Sequence, residues 1–366
     1  MPQIKYPLET FAKIKVIGIG GGGGNIISRM NRGQMRGVEF IAVNTDVQDL
    51  HKTGIREKIH IGKSISRGLG AGMNPEIGRQ AAEEAKAQLG EAIKGAEMVF
   101  LTAGLGGGTG TGAIPIIAEV SKESGALTIA VVTKPFFFEG SRRSQIAEEG
   151  LAKLKEKVDA YIVVPNDRIF NIIDQDTPLS QAFEAIDDIL KYAVKGVAEL
   201  INVPGIINVD FADVKTVLQD AGLALIGIGK ASGQERAMNA VKSAISSPLI
   251  EISPHGARGV LFSVIGNDLK MAEINDAAKL VSEIVDPGAK IIFGAMEDSR
   301  LKKGEIKIMV IAAGFNGLVK YNNDAKQQSI ISEKLSIKKI ETPSDITPKT
   351  SSESLEIPAF LRRKKK

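Results

Sequence analysis

Gly104-Leu105-Gly106-Gly107-Gly108-Thr109-Gly110-Thr111-Gly112 follows a β-rich run at 98–102 and precedes a helical stretch. An earlier run, 13–19, ends in Gly18-Ile19-Gly20-Gly21-Gly22-Gly23-Gly24-Asn25. Each glycine in ordered structure costs about 0.5–1 kcal/mol relative to alanine, so the two clusters together forgo several kcal/mol. A tight turn needs one or two glycines, not this many. Close approach of backbone to a phosphate explains the number. Amide N–H groups then point inward, no Cβ blocks the ligand, and the following helix N-terminus adds positive potential. The phosphate reading therefore outweighs the turn reading.

Further strand signals lie at 40–44, 127–133 and 160–165. Continuous apolar strands of this kind are buried on both faces, as in parallel sheets flanked by helices. Asn74-Pro75-Glu76 starts a helix expected to run to about Ile93. Residues 1–176 thus read as a doubly wound α/β domain with a parallel sheet. A long central helix follows over 177–202, with Thr177 as its cap and Pro178 in its first turn. Leu179, Phe183, Ile186, Leu190, Val194, Val197 and Ile201 recur along it at spacings of three and four. Its length is ~36 Å at 1.5 Å per residue, and Pro204-Gly205 ends it. Residues 203–315 read as a second, smaller α+β domain. Its strands are expected at 259–266, 290–296 and 306–314, with helices near 234–246 and 271–285. From 316 to 354 the composition shifts to Lys, Ser, Asn and Thr with scattered prolines, the signature of a flexible linker. Residues 355–366 form an apolar cluster, Ile357, Pro358, Phe360 and Leu361, followed by five cations.

The formal net charge is +4, and removing those five terminal cations leaves −1. The body gives no electrostatic reason to expect nucleic acid. There is no cysteine, which excludes disulfides, thiolate metal sites and cysteine nucleophiles. No stretch approaches the ~20 apolar residues of a membrane helix, and the N-terminus lacks a signal-peptide run. The expectation is a cytoplasmic protein that reaches a membrane only through a partner. His51, His60 and His255 show no ligand spacing.

Gly18-x-Gly20-x-x-Gly23 matches the dinucleotide fingerprint, so an NAD-dependent oxidoreductase is one reading. The second glycine loop disfavours it, as does the lack of an obvious hydride-transfer acid/base. No Walker A motif is present: neither Gly62-Lys63-Ser64 nor Gly229-Lys230 has the upstream glycine. Gly106-Gly-Gly-Thr-Gly-Thr-Gly112 resembles the signature of the tubulin/FtsZ family of GTPases. Similar matches run through GGGGGN (20–25), AVNTD (42–46), GLGAGMNPEIG (68–78), TKPFFFEG (133–140), PND (165–167) and NVDFADV (208–214). The likeness is to the bacterial cell-division branch. It covers roughly 13–315 and resumes in the terminal IPAFLRR.

The resemblance implies GTP and GDP as ligands together with Mg2+, and leaves a monovalent cation open. It implies that Gly21, Gly22, Gly23, Gly24, Asn25, Gly107, Gly108, Thr109 and Gly110 cradle the phosphates. Asn44 and Asp46 end a strand where ligands of open α/β sheets gather, with turn chemistry as the plainer reading for Asp46. Glu139 and Arg143 share one helix face. They read as a surface ion pair by themselves and as contacts near the ribose and base by resemblance. Phe183 and Asp187 are four apart. Asp187 can accept from guanine N1–H and its amino group, and Phe183 can stack on the ring or pack in the core. Asn208, Asp210 and Asp213 follow the long helix. Helix capping is the bland account of the two aspartates; the resemblance implies that they polarise the attacking water. No protein metal ligand is assigned.

Asp187 and Ile201 are separated by ~21 Å of helix, so Asp210 and Asp213 are expected to serve the nucleotide of the next copy. Such a head-to-tail contact makes open filaments. The resemblance implies a ring at mid-cell on the inner face of the membrane, with residues 355–366 binding anchoring division proteins such as FtsA. The basic end adds lipid attraction of ~1 kcal/mol per charge. A non-division tubulin-like cytomotive GTPase is the alternative, and the terminal IPAFLRR argues against it. A filament that binds GTP without cleaving it is disfavoured by the intact NVDFADV loop.

Overall fold

The computed structural model describes residues 12–315 apart from 34, 36, 175 and 247–254. The linker at 316–354 and the peptide at 355–366, with Ile357, Pro358, Phe360 and Leu361, lie outside the described residues. Strands β1 (Ile14–Ile19), β2 (Val38–Asn44), β3 (Glu57–His60), β4 (Met98–Gly104), β5 (Leu127–Lys134) and β6 (Ala160–Pro165) pair in parallel in the order 3-2-1-4-5-6. Every residue of β4 except Gly104 is buried. Helices on both faces of the sheet account for that. Ile26, Ile27 and Met30 of α1 (Gly20–Asn31) join the core on one face. Ala113, Ile114 and Ile117 of α5 (Gly108–Glu123) join the core on the other. Helix α2 spans Val47–Lys52 and α6 spans Ser141–Lys155.

The sheet continues into the second half. Strand β7 (Gly222–Ser232) pairs with the start of β6 at Ala160–Gly222 and Tyr161–Leu223. Beyond it come β10 (Glu305–Phe315), β8 (Ala257–Gly266) and β9 (Lys290–Glu297), with β10 antiparallel to both neighbours and β8 parallel to β9. Helices α9 (Arg236–Ile245) and α10 (Met271–Ile284) contribute to a separate core with this part of the sheet. The central helix α7 (Leu179–Asn202) bridges the halves. Its Ile186, Leu190, Val194 and Val197 share one core with Met30, Leu261 and Met309.

Several expectations need correction. The helix expected from Pro75 to Ile93 is two, α3 (Pro75–Glu84) and α4 (Lys86–Ile93), broken at Ala85, whose ψ of 7° leaves the helical region. Thr177 does not cap α7; Pro178 holds that position, and its carbonyl accepts from Gln181 and Ala182. Leu179 and Phe183, in the first turns of α7, leave the apolar stripe at 59% and 37% exposed, and Phe183 meets the Phe136 ring edge to face. Strands β3 and β7 were not foreseen.

Candidate functional site

Strand order reverses between β1 and β4, which lie side by side. In a doubly wound sheet, a crevice opens at the carboxyl ends of two such strands because their connections leave in opposite directions. Both glycine loops lie there, and a cavity of about 440 Å³ opens between them. The N-termini of α1 and α5 meet at its floor, and neither first turn carries an acidic residue. Unsatisfied amides and two helix dipoles therefore present positive potential to one spot, as an anionic group requires. Two positive-φ glycines shape the entry: Gly20 (φ 71°) turns β1 into α1, and Gly106 (φ 104°) turns the loop after β4. The Thr111 hydroxyl accepts from the Gly106 amide at 2.8 Å and pins that loop.

The cavity brings together Gly21, Gly22, Asn25, Gly107, Gly108, Thr109, Gly110, Glu139, Arg143, Phe183 and Asp187. The remaining residues assigned to the cradle lie elsewhere. Gly24 and Asn44 line a smaller adjoining cavity of about 40 Å³, which shares Gly21 and Asn25 with the large one. Gly23 lines neither. A Cβ there would lie 2.5 Å from the Thr102 carbonyl, so this glycine lets α1 pack on β4. Close packing likewise explains Gly112, where a Cβ would strike the Pro75 carbonyl. Close packing thus accounts for part of the glycine count, which phosphate approach alone was expected to explain. Asn44 accepts from the Asp46 amide (3.2 Å), and Asp46 caps α2 through the Asp49 amide (3.0 Å), the plainer of its two readings.

On the opposite wall, Glu139 and Arg143 pair at 2.7 Å, and Glu139 also accepts from the Phe136 amide at 2.9 Å. The pair is real, and it stands in the cavity wall. Phe183 meets Phe136 edge to face at 5.4 Å while one side of its ring stays on the cavity. Arg29, which sequence reasoning missed, pairs with Asp187. Its signal was weak: an arginine near the end of a helix is ordinary. Asn166 was also missed beyond its place in the PND motif. It is buried, it lines the cavity, and its Oδ1 has no hydrogen-bond partner. A buried orphan acceptor carries a desolvation penalty of about 1–3 kcal/mol, which a donor on a bound ring would relieve.

Burial pushes the Asp187 carboxyl up to about 6, against the pull of the Arg29 guanidinium. A folded-state value above the unfolded one means that the nucleotide-free protein gains stability as pH falls through 6 toward 4. The role that the resemblance implies for Asp187, accepting from guanine N1–H and its amino group, would have the opposite sign, because only the carboxylate accepts from both. GDP affinity is therefore expected to fall by up to about tenfold per pH unit below 6, and Asp187→Asn is expected to remove the slope. Calorimetric titration of GDP between pH 5 and 8 checks this. An unchanged slope in the variant would remove Asp187 from base recognition.

Asn208, Asp210 and Asp213 line neither cavity. Their loop is stapled to β9: the Ile206 and Ile207 amides donate to the Ala295 carbonyl at 2.8 and 3.1 Å. The Asn208 side chain accepts from the Gly205 amide at 2.6 Å. Asp210 occupies the cap position of α8 (Phe211–Leu218), yet its side chain makes no capping hydrogen bond. The bland account of that carboxylate is thus not realised. Asp210 and Asp213 are both exposed. From Asp187 to the end of α7 at Asn202 the helix rises ~22 Å, so this loop stands at the far end of the central helix from the cavity.

A doubly wound sheet with two glycine loops and two helix N-termini at its switch-point crevice, walled by an aromatic ring and a carboxylate, has the make-up of a nucleotide-binding protein. The family model described as "Tubulin/FtsZ family, GTPase domain" matches residues 13–174, and that described as "FtsZ family, C-terminal domain" matches 222–316. An FtsZ dimer from M. jannaschii is 46% identical, with 84% of this chain and 89% of that chain covered, at a TM-score of 0.79. CetZ2 from Haloferax volcanii, solved as a GTPgS-bound protofilament, is 21% identical over 88% of this chain and 99% of that one, at 0.71. CetZ1 from the same organism, a GDP-bound monomer, is 20% identical over the same shares, at 0.72. The chain belongs to the tubulin/FtsZ family and is a GTPase of that family. No described helix is long and apolar enough to cross a membrane.

Proposed function

We propose that this chain polymerises head to tail and hydrolyses GTP where two copies meet, the nucleotide held by one and the acidic loop supplied by the next. The observation that carries this is the separation along α7: Asn208, Asp210 and Asp213 line no part of the nucleotide cavity. Exposed apolar side chains at both ends support the contact. Leu69 (84% exposed), Phe137 (88%) and Phe138 flank loops that reach the cavity, and Ile206 (62%) and Ile207 precede the acidic loop. Water adds to the γ-phosphorus as the bond to the β–γ bridging oxygen breaks, releasing GDP and phosphate. Cleavage of this kind needs mainly positioning and charge stabilisation. Asp210 and Asp213 orient the water and accept its proton, while the amides at the starts of α1 and α5 hold the phosphates. Among the described residues no group of three or more His, Asp or Glu forms a metal site. Mg2+ bound with the nucleotide would supply charge neutralisation at the phosphates.

The filament serves cell division in this reading. Identity of 46% with an FtsZ against 20–21% with CetZ proteins favours the division branch. Residues 355–366 would tie it to an anchoring protein such as FtsA, at mid-cell on the inner face of the membrane. Phosphate release per molecule, measured against protein concentration with ATP as control, should show a threshold and GTP selectivity. Removal of 355–366 should leave both intact and abolish recruitment to anchor-bearing vesicles. Turnover per molecule independent of concentration would end the shared-site mechanism. Unchanged recruitment would end the anchor assignment.

A further inference from the structure

A second polar cavity, of about 300 Å³, lies where the C-terminal half of α7 meets the sheet of the second half. Three lysines from three elements converge on it: Lys195 of α7, Lys230 of β7 and Lys307 of β10. Lys230 and Lys307 are direct cross-strand partners. Like charges directly opposite each other on antiparallel strands are destabilising, so this placement asks for a cause.

Three acids, Glu199, Glu297 and Asp298, line the same cavity, and two of them are already paired. Glu199 is paired with Lys195 at 3.4 Å, and Asp298 is held by Arg300 at 2.8 Å. Glu305 reaches Lys230 only at 4.0 Å. Lys307 has no carboxylate partner within ion-pair distance among the described residues; its ammonium stands over the Tyr192 ring, 4.6 Å from the centroid. Burial holds Lys307 below the usual lysine range. Lys195 and Lys230 push the same way, and Glu199 and Asp298 oppose them. Lys307 is thus a partly buried cation facing two other lysines, with Glu199 and Asp298 near enough to oppose them but not to pair with it among the described residues.

We propose that the cavity bounded by Lys195, Lys230, Lys307 and Tyr192 binds a small oxyanion. The shared chemistry is two or three charged oxygens at hydrogen-bonding distance from the converging ammonium groups. Two sources fit the volume: inorganic phosphate, which the chain's own reaction releases, and a small dicarboxylate. The bound anion would tie α7 to β7 and β10, and so connect the helix that carries Asp187 to the sheet against which the acidic loop is stapled.

The test uses the full chain saturated with GDP, so that the nucleotide cavity is filled. Phosphate and malonate are titrated separately at constant ionic strength, with chloride as control. Thermal stability should rise saturably with one or both anions, and the tighter of the two identifies the source. Lys307→Gln should weaken the apparent affinity about tenfold or more while GDP affinity stays unchanged. Lys230→Gln, at an exposed position, should weaken it to a smaller extent and guards against a folding defect in the first variant. With 13C-methylated lysines, the Lys307 resonance should titrate at higher pH once the anion is bound. A stabilisation no greater than chloride gives would overturn the proposal, as would one that survives both substitutions. Neither result bears on the GTPase reading, because GDP fills that cavity throughout.

Discussion

Asp213→Ala is expected to lower GTP turnover about 10²–10³-fold, the usual loss when one group that stabilises the transition state is removed. Its affinity for GTP should stay within about twofold of the parent. The asymmetry follows from position: Asp213 is exposed in the first turn of α8, and the nucleotide cavity has no residue from that loop. A water-positioning group acts only in the transition state, so removing it lowers kcat rather than binding. A mixing experiment sharpens the test. Asp213→Ala keeps an intact nucleotide cavity, and a copy unable to bind nucleotide keeps an intact acidic loop. If the site is assembled from two copies, the mixture should release phosphate faster than either parent. A mixture as inactive as its parents would place the catalytic carboxylate within one copy. A single variant with normal turnover would remove Asp213 from the chemistry.

What was legible in the sequence follows from how each signal is encoded. Buried parallel strands are continuous apolar runs, so β1, β4, β5 and β6 could be read directly. Strand β7, GLALIGIGKAS, carries three glycines and crosses from the parallel to the antiparallel part of the sheet, so no single period marks it. Strand β3 is four residues at a sheet edge, half of them charged. The break at Ala85 has no glycine or proline to announce it. Phe183 shows the limit of periodicity. It keeps helical register with Ile186 and Leu190, yet it lines the cavity and stays 37% exposed beside Phe136.

The site was legible as a neighbourhood and less so as an assignment of roles. A glycine that admits a phosphate and one that admits a neighbouring helix are the same letter, and only the space around a missing Cβ separates them. Asn166 and Arg29 needed coordinates for the same reason. One is distinguished by an unpaired oxygen and the other by the carboxylate it meets.

That distinction among glycines yields the second large effect. Gly107 caps α5 with φ −90° and ψ 172°, extended backbone that any residue adopts, and a Cβ there would have no heavy atom within 4 Å. Gly107→Val should therefore fold, with stability within about 1 kcal/mol of the parent. The open space nevertheless belongs to the cavity, in front of the α5 amides, where the proposed site holds the phosphates. Two methyl groups there displace the anion, and GTP affinity should fall about 10²-fold, or ~2.7 kcal/mol. Gly112→Ala should do the reverse. Its Cβ would meet the Pro75 carbonyl and lie 2.7 Å from the Arg79 amide nitrogen, both backbone atoms that no rotamer change can move. Stability should drop by about 1–3 kcal/mol as α3 and α5 are forced apart, while the folded fraction binds GTP normally. Thermal unfolding and nucleotide titration of the two variants separate the effects. Normal GTP binding by Gly107→Val would mean that the phosphates lie elsewhere in the crevice, and that the open space at this glycine is only solvent.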